Sequence, residues 1–121
     1  MVQRGMKYTI RLSELLASET EDAPRGLGVF ALLGLGMVES LASGALSSAD
    51  ATRVFFNAEN CLYVRKKLRS EEADEVMSRG VQLEDLFETL PEQEAQQEFQ
   101  REQWAMRSLC VQLLDPQRAV A

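Results

Sequence analysis

Histidine, the side chain that most often acts as a general base near neutral pH, is absent from this sequence. Its absence excludes serine–histidine–aspartate triads, cysteine–histidine pairs and histidine-based zinc sites. Chemistry by carboxylates alone stays open, but no catalytic motif accompanies them. The composition therefore predicts a protein that is not an enzyme and that needs no cofactor.

The carboxylates best spaced for joint chemistry are Glu84, Asp85 and Glu88, which fall within about one helical turn. Glu84 and Glu88 would share a helix face and could hold a hard cation such as Mg²⁺ together with water. Carboxylate metal bundles also use a histidine beside the glutamate, and none exists here. Metal binding is therefore an alternative interpretation. We expect these carboxylates, with Glu71 and Glu72, to face a protein partner instead.

The charge balance points to the same class of partner. The chain has 121 residues, 13 basic and 19 acidic, and a formal net charge of -6. Such a protein is repelled by nucleic-acid phosphates and by anionic lipid surfaces, so neither is expected as a partner. One dense basic cluster, Arg65, Lys66, Lys67 and Arg69, fits the end of a predicted helix, where cations complement the helix dipole.

A glycine-rich apolar stretch, "RGLGVFALLGLGMVESLASG" from Arg25 to Gly44, needs a separate explanation. Its uncharged run covers 12 residues, Leu27–Val38, which is shorter than the roughly 20 that a membrane span requires. The segment "GLGVFA" fits a dinucleotide-binding pattern, but no strand precedes it. We therefore predict a buried central helix from Pro24 to Ser43, capped by Asp22 and ended by Gly44.

Glycines inside that helix predict close packing. Gly28, Gly34 and Gly36 each cost about 1 kcal/mol of helix stability relative to alanine. Close approach of another helix backbone, from this chain or from a second copy, would compensate for that cost. The sequence thus predicts tight contacts at these three positions and leaves a homodimer open.

Four further helices are predicted around this one. A long helix from Ser47 to about Leu68 should bury one face, formed by Ala51, Val54, Phe55, Ala58, Cys61, Leu62 and Leu68. A third begins at Ser70 and ends at Gly80, and a fourth spans "VQLEDLFETL". The last runs from Glu92 to Leu114, with the inner stripe Ala95, Phe99, Met106, Leu109, Cys110 and Leu113.

The N-terminal region supports two interpretations. "KYTIRL" alternates apolar and polar residues, which indicates a short strand, whereas "IRLSELLAS" also fits an amphipathic helix. Residues 1–5 would be a disordered extension if translation starts at Met6, and residues 115–121 a loose tail. The whole chain, residues 1–121, is expected to form one domain. Cys61 and Cys110 fit buried thiols in a reducing compartment, hence the cytoplasm.

Trp104 is the best single candidate for an interface anchor. It lies about 140° from Phe99 on the last helix, off the inner stripe. Tryptophan at an apolar edge is a usual interface anchor, although it could equally cover the end of the core.

Two passages resemble a small uncharacterised bacterial family of short helical proteins. One is "LLGLGMVESLASGALSSADATRVFF"; the other is "RGVQLEDLFETLPEQ", where Gly80, Leu83, Glu84 and Asp85 match a Gly-x-x-Leu-Glu-Asp pattern. The resemblance spans residues 30–114 and implies a helical, cytoplasmic, bacterial protein with no established activity.

These observations predict an all-α domain of four to five helices around a buried glycine-rich helix, with a short N-terminal strand left open. The leading functional hypothesis is a non-enzymatic acidic module that binds a protein partner, as immunity proteins or inhibitors do. The alternatives are a self-associating structural protein and a carboxylate metal-binding protein.

Overall fold

The computed structural model describes residues 9–17 and 23–115, in which all regular structure is helical. The elements are α1 (Leu12–Leu15), α2 (Ala23–Ser43), α3 (Ser48–Val54), α4 (Ala58–Tyr63), a π-helical turn (Val64–Leu68), α5 (Glu71–Val81), α6 (Leu83–Thr89) and α7 (Glu92–Leu114). The predicted all-α class is confirmed. The expectations for Asp22, for residues 1–5 and for the tail after Asp115 concern positions outside the described residues.

The long helices α2 and α7 form the main pair of the fold. Gly34 of α2 faces Cys110 of α7, and the Glu39 carboxylate lies 3.6 Å from the Arg107 guanidinium. Residue numbers rise along one helix as they fall along the other, so the two helices run antiparallel. Helices α5 and α6 also pack on α7.

Three phenylalanines occupy the centre of the core. Phe30 of α2 stacks on Phe55, with ring centroids 6.0 Å apart. Phe55 in turn meets Phe56 edge to face at 5.1 Å. All three side chains are buried, so the connection between α3 and α4 is held against α2 by aromatic packing.

The predicted helix from Ser47 to Leu68 is interrupted, which the periodicity did not indicate. It breaks after Val54, and Asn57 caps a new helix by accepting a hydrogen bond from the Asn60 amide at 2.9 Å. Phe55 and Phe56 lie in the connection between the two helices, and both side chains are buried in the core. The predicted inner positions Ala58 and Leu62 are therefore exposed.

The described part of the N-terminal segment contains no strand, and α1 lies within the stretch of the helical alternative but is shorter than it. Residues 9–11 are non-helical, and α1 covers only four residues. Asn60, 1% exposed, anchors this segment. Its Oδ1 accepts a hydrogen bond from the Leu12 amide at 3.0 Å, and its Nδ2 donates to the carbonyls of Ile10 and Phe55 at 2.8 and 2.9 Å.

Predicted helix ends agree with the structure at three positions and differ at one. Ser47 and Asp50 form a reciprocal capping box, Ser70 caps α5, and Gly44 follows α2 with a φ of +83°. Gly80, predicted as a stop, instead lies inside α5, where it is buried. Its role is packing, as argued in the Discussion.

Helix α2 is only partly buried, which differs from the prediction of a helix enclosed on nearly all sides. Phe30, Ala31, Met37, Val38 and Leu41 are buried, whereas Leu32 is 60% exposed. Within the described residues, Arg25–Ser43 is the one stretch long and apolar enough to cross a membrane, with a mean hydropathy of 1.6. A core helix of a soluble protein and a signal sequence meet the same criterion, so length and composition do not distinguish them.

Candidate interaction surface

Trp104 lies on the outer surface of α7 and is 72% exposed. The α7 residues that face the core are Ala95, Met106 and Cys110, and Trp104 belongs to the opposite side of the helix. Of the two roles considered for this tryptophan, covering the end of the core requires burial that it does not have. Its indole ring is instead a large apolar group in contact with solvent.

A shallow depression of about 850 Å³ adjoins Trp104. A second depression, of about 610 Å³, lies beside it and is bounded by Leu86 and Leu90 at the α6 side. Both depressions are lined by Gln97, Glu98 and Arg101, so they form one continuous surface along α7. We call this surface, from Leu90 to Trp104, the α7 groove.

An ion-pair network holds the wall of the α7 groove. Nη1 of Arg79 in α5 donates to both carboxylate oxygens of Glu102, at 3.0 and 3.1 Å. Its Nε and Nη2 donate to Glu75 at 2.9 and 2.7 Å. The hydrogen bonds that Arg79 donates to Glu75 and Glu102 raise the pKa of Arg79, so the guanidinium stays charged. The network connects α5 to α7, and Arg79 and Glu102 line the same depression as Trp104.

Glu98 and Arg101, about one turn apart on α7, form a further ion pair. Both side chains line the two depressions of the α7 groove. The floor of the groove therefore contains paired charges, whereas its two ends contain apolar groups, Leu86 and Leu90 at one end and Trp104 at the other.

The carboxylates predicted for an interface are placed differently from one another. Glu84, Asp85 and Glu88 belong to α6, whose Leu86, Thr89 and Leu90 line the α7 groove. Asp85 and Glu88 are exposed, and Glu84 is half-buried. Glu71 and Glu72 lie in the first turn of α5 and line neither depression. None of the five predicted interface carboxylates therefore lines either depression.

No described cation lies within ion-pair distance of Glu71, Glu84, Asp85 or Glu88. Nor do residues 9–17 and 23–115 contain a group of three or more carboxylates or cysteines placed to hold a metal ion. The geometry therefore gives no support to the alternative of a metal site at Glu84, Asp85 and Glu88.

The two thiols are held in unreactive form. Burial raises the pKa of the Cys110 thiol to about 11, and it also raises the pKa of Cys61. A nucleophilic cysteine needs a lowered pKa, so neither position is suited to nucleophilic catalysis. Both cysteines are unpaired, Cys110 buried and Cys61 half-buried.

The basic cluster lies at the end of α4. Arg65, Lys66 and Lys67 are exposed on the π-helical turn, directly before Glu71 and Glu72 at the start of α5. This order agrees with the helix-dipole interpretation, in which cations stabilise one helix end and anions the next helix start.

The three glycines predicted for close helix packing have different surroundings. A Cβ added at Gly34 would lie 2.8 Å from Sγ of Cys110, so this glycine permits close approach of α7. At Gly28 and Gly36 no neighbouring atom lies within 4 Å of such a Cβ. Tight contact at these two positions is therefore not made within the described chain, because their side of α2 faces away from α7.

Sequence reasoning missed Arg79 and Glu102, which shape the α7 groove. The spacing of Glu75 and Arg79 indicated a helical ion pair. The second carboxylate, Glu102, is 23 residues further along the chain. Only the packing of α5 on α7 brings it to Arg79.

A family model described as "Protein of unknown function (DUF3969)" matches residues 28–117, well over half of the 121-residue chain. The chain therefore belongs to this family, which confirms the expected resemblance to an uncharacterised family. Comparison with curated proteins and with solved structures found no match.

Proposed function

We propose that this family member is a non-enzymatic protein-binding module that engages a basic protein partner through Trp104 and the α7 groove. The single observation that carries the proposal is the 72% exposure of Trp104. Tryptophan is strongly enriched among the residues that dominate binding energy at protein interfaces. Leaving it in water costs free energy that burial by a partner would recover.

The surroundings of Trp104 support a protein ligand over a small molecule. The α7 groove is long, shallow and open, whereas small-molecule sites are enclosed pockets that bury most of their ligand.

The charge supports a basic partner. The protein has a net charge of -6, and the carboxylates of Asp85 and Glu88 are exposed on α6. No cation among the described residues lies within ion-pair distance of either. Unpaired surface carboxylates attract a cationic protein and accelerate its association. An inhibitor or immunity-type role in the cytoplasm fits this combination of size, charge and groove.

The proposal is tested by affinity capture from lysate of the native host with three baits: wild type, Trp104→Ala and Leu62→Ala. Leu62 is a matched control, because it is also apolar and about half-exposed but lies on α4. Bound proteins are eluted with rising salt and identified by mass spectrometry, and the binding of each is then measured with purified components.

We expect wild type and Leu62→Ala to capture the same basic protein. Trp104→Ala should bind that protein with an affinity about 30-fold lower or more, which is the effect of removing an anchor residue. The affinity of the basic protein for wild type should fall as salt rises, because screening weakens the charge attraction. Equal capture by all three baits would exclude Trp104 as the anchor. Binding that is indifferent to salt would exclude the electrostatic contribution.

A further inference from the structure

The outer side of α2 presents one protruding leucine between two glycines. Leu32 is 60% exposed, and Gly28 and Gly36 lie one helical turn before and after it. Because no atom of the described residues approaches within 4 Å of a Cβ at either glycine, these residues leave the helix surface open on both sides of the leucine. We call this part of α2, Gly28–Leu32–Gly36, the open face.

An apolar groove of about 390 Å³ adjoins the open face. Leu32 and Gly36 form one edge of it, and Leu33, Met37 and Leu46 line its interior. No ionisable residue is among the described residues that line it, and Ser40 is its polar member. The open face and the groove together form a continuous uncharged surface.

We infer that this surface docks a second copy of the same chain, in a two-fold symmetric dimer with α2 crossing α2. Two copies that each have a net charge of -6 repel one another through most of their surfaces. Contact between two copies through the uncharged surface of α2 minimises this electrostatic repulsion. The lining of the groove itself offers no charge to an acidic or a basic partner.

The shape of the surface is self-complementary, as a two-fold interface requires. The projection, Leu32, and the recess, Gly36 with the adjoining groove, lie one helical turn apart on the same helix. A two-fold axis near that point places Leu32 of each protomer against Gly36 of its partner. Glycine at the contact lets the two helix backbones approach closely, which offsets its cost of about 1 kcal/mol per residue in helix stability.

A lipid bilayer is the competing occupant, because Arg25–Ser43 has a mean hydropathy of 1.6 with only 39% of the stretch buried. The recess flanking Leu32 favours a shaped protein surface over lipid chains, which need no recess. The experiment below includes a membrane arm that separates the two.

Sedimentation equilibrium over a wide concentration range tests the dimer with four proteins: wild type, Leu32→Glu, Gly36→Ala and the control Leu62→Glu. Leu62, 49% exposed on α4, matches Leu32 in type and exposure but not in position. Circular dichroism checks that each variant is folded. In parallel, flotation with neutral phosphatidylcholine vesicles measures lipid binding.

We expect a wild-type monomer–dimer equilibrium that Leu62→Glu leaves unchanged. Leu32→Glu should raise the dimer dissociation constant by about 30-fold or more, as the loss of an interface anchor does. Gly36→Ala should raise it by about tenfold, because the added methyl group separates the helices, although the substitution favours the helix itself. Wild type should not float with the vesicles.

Three results would each overturn the inference. The first is a wild-type monomer at every concentration, and the second is a dimer whose dissociation constant is insensitive to both α2 substitutions. The third is vesicle binding that Leu32→Glu abolishes. The dimer should also persist or tighten as salt rises, since screening reduces repulsion between like-charged copies. Partner binding at Trp104 should weaken under the same change, so the failure of either proposal is recognised separately.

Discussion

Gly80 of α5 lies directly against the aromatic ring of Phe56. A Cβ at position 80 would overlap the Cγ, Cδ1 and Cε1 atoms of that ring. Phe56 is buried and already packed against Phe55, so it has little room to move. This contact gives a physical reason for the glycine in the Gly-x-x-Leu-Glu-Asp pattern, because any side chain there would push α5 away from the connection between α3 and α4.

We therefore expect Gly80→Ala to lower the free energy of unfolding by about 1–3 kcal/mol, the usual cost of overpacking a core. Alanine improves helix propensity by up to about 1 kcal/mol, so a net loss would show that the overlap with Phe56 dominates. Urea unfolding followed by circular dichroism measures the change. Gly28→Ala is the control: it lies in open space and should raise stability by about 0.5–1 kcal/mol. Similar gains for both variants would contradict the packing argument.

Asn60→Ala should lower the free energy of unfolding by about 2–4 kcal/mol. It removes the partners of the Leu12 amide and of the Ile10 and Phe55 carbonyls, and unsatisfied buried polar groups are costly. Asn57→Ala, which loses a helix cap and an exposed hydrogen bond to the Arg53 carbonyl, should cost about 1 kcal/mol. Hydrogen exchange at Leu12 adds a local measurement: its amide should lose protection in Asn60→Ala and keep it in Asn57→Ala. Unchanged protection in both variants would show that Asn60 does not anchor α1.

The two ion pairs that join α7 to other helices should differ in strength. Arg79 and Glu102 form two hydrogen bonds, and both side chains are largely shielded, whereas Arg107 and Glu39 are exposed and 3.6 Å apart. Double-mutant cycles with alanine should give a coupling energy of about 1 kcal/mol for the first pair and less than about 0.3 kcal/mol for the second. Equal coupling energies would mean that shielding makes no difference at this helix interface.

The Cys110 thiol should make stability depend on alkaline pH. Its pKa rises from an ordinary 9.0 to about 11 because it is buried, so the unfolded chain loses this proton at lower pH than the folded protein does. The free energy of unfolding should therefore be unaffected by this group below pH 9.0 and decrease between there and about pH 11. Cys110→Ala should show a shallower decrease across that window. Identical slopes would remove Cys110 as the cause.

The same burial predicts an order of thiol modification. A thiol-specific reagent should react first with Cys61, which is half-buried, and with Cys110 only as fast as the whole protein unfolds. Mass spectrometry of partly modified protein identifies which site has reacted. Early modification of Cys110 would indicate that α2 and α7 separate without global unfolding.

Local signals in the sequence determined the helical class, several helix ends and the type of residue in the core. The capping box of Ser47 and Asp50, the cap at Ser70 and the stop at Gly44 depend on neighbours within four residues, so the pattern alone predicts them. The inner stripe of α7 was predicted equally well, because helical periodicity identifies a face without identifying what covers it.

Tertiary packing decided the features that depend on residues distant in the chain. The chain breaks after Val54 and places Phe55 and Phe56 in the connection between α3 and α4, where both are buried, and Asn60 is buried because it bonds to backbone about 50 residues earlier. Neither feature is visible within a short window of sequence. Periodicity predicted one continuous helix there.

The same division applies to the two surfaces that carry the proposals. The sequence identified Trp104 and the α2 glycines by type alone, since a tryptophan or a helical glycine is unusual wherever it occurs. The surroundings of these residues depend on which side of each helix is covered by neighbouring helices. Trp104 and Leu32 face solvent, Gly34 faces Cys110, and Gly28 and Gly36 are open. Exposure depends on the position of every other helix, so only the assembled fold could determine it.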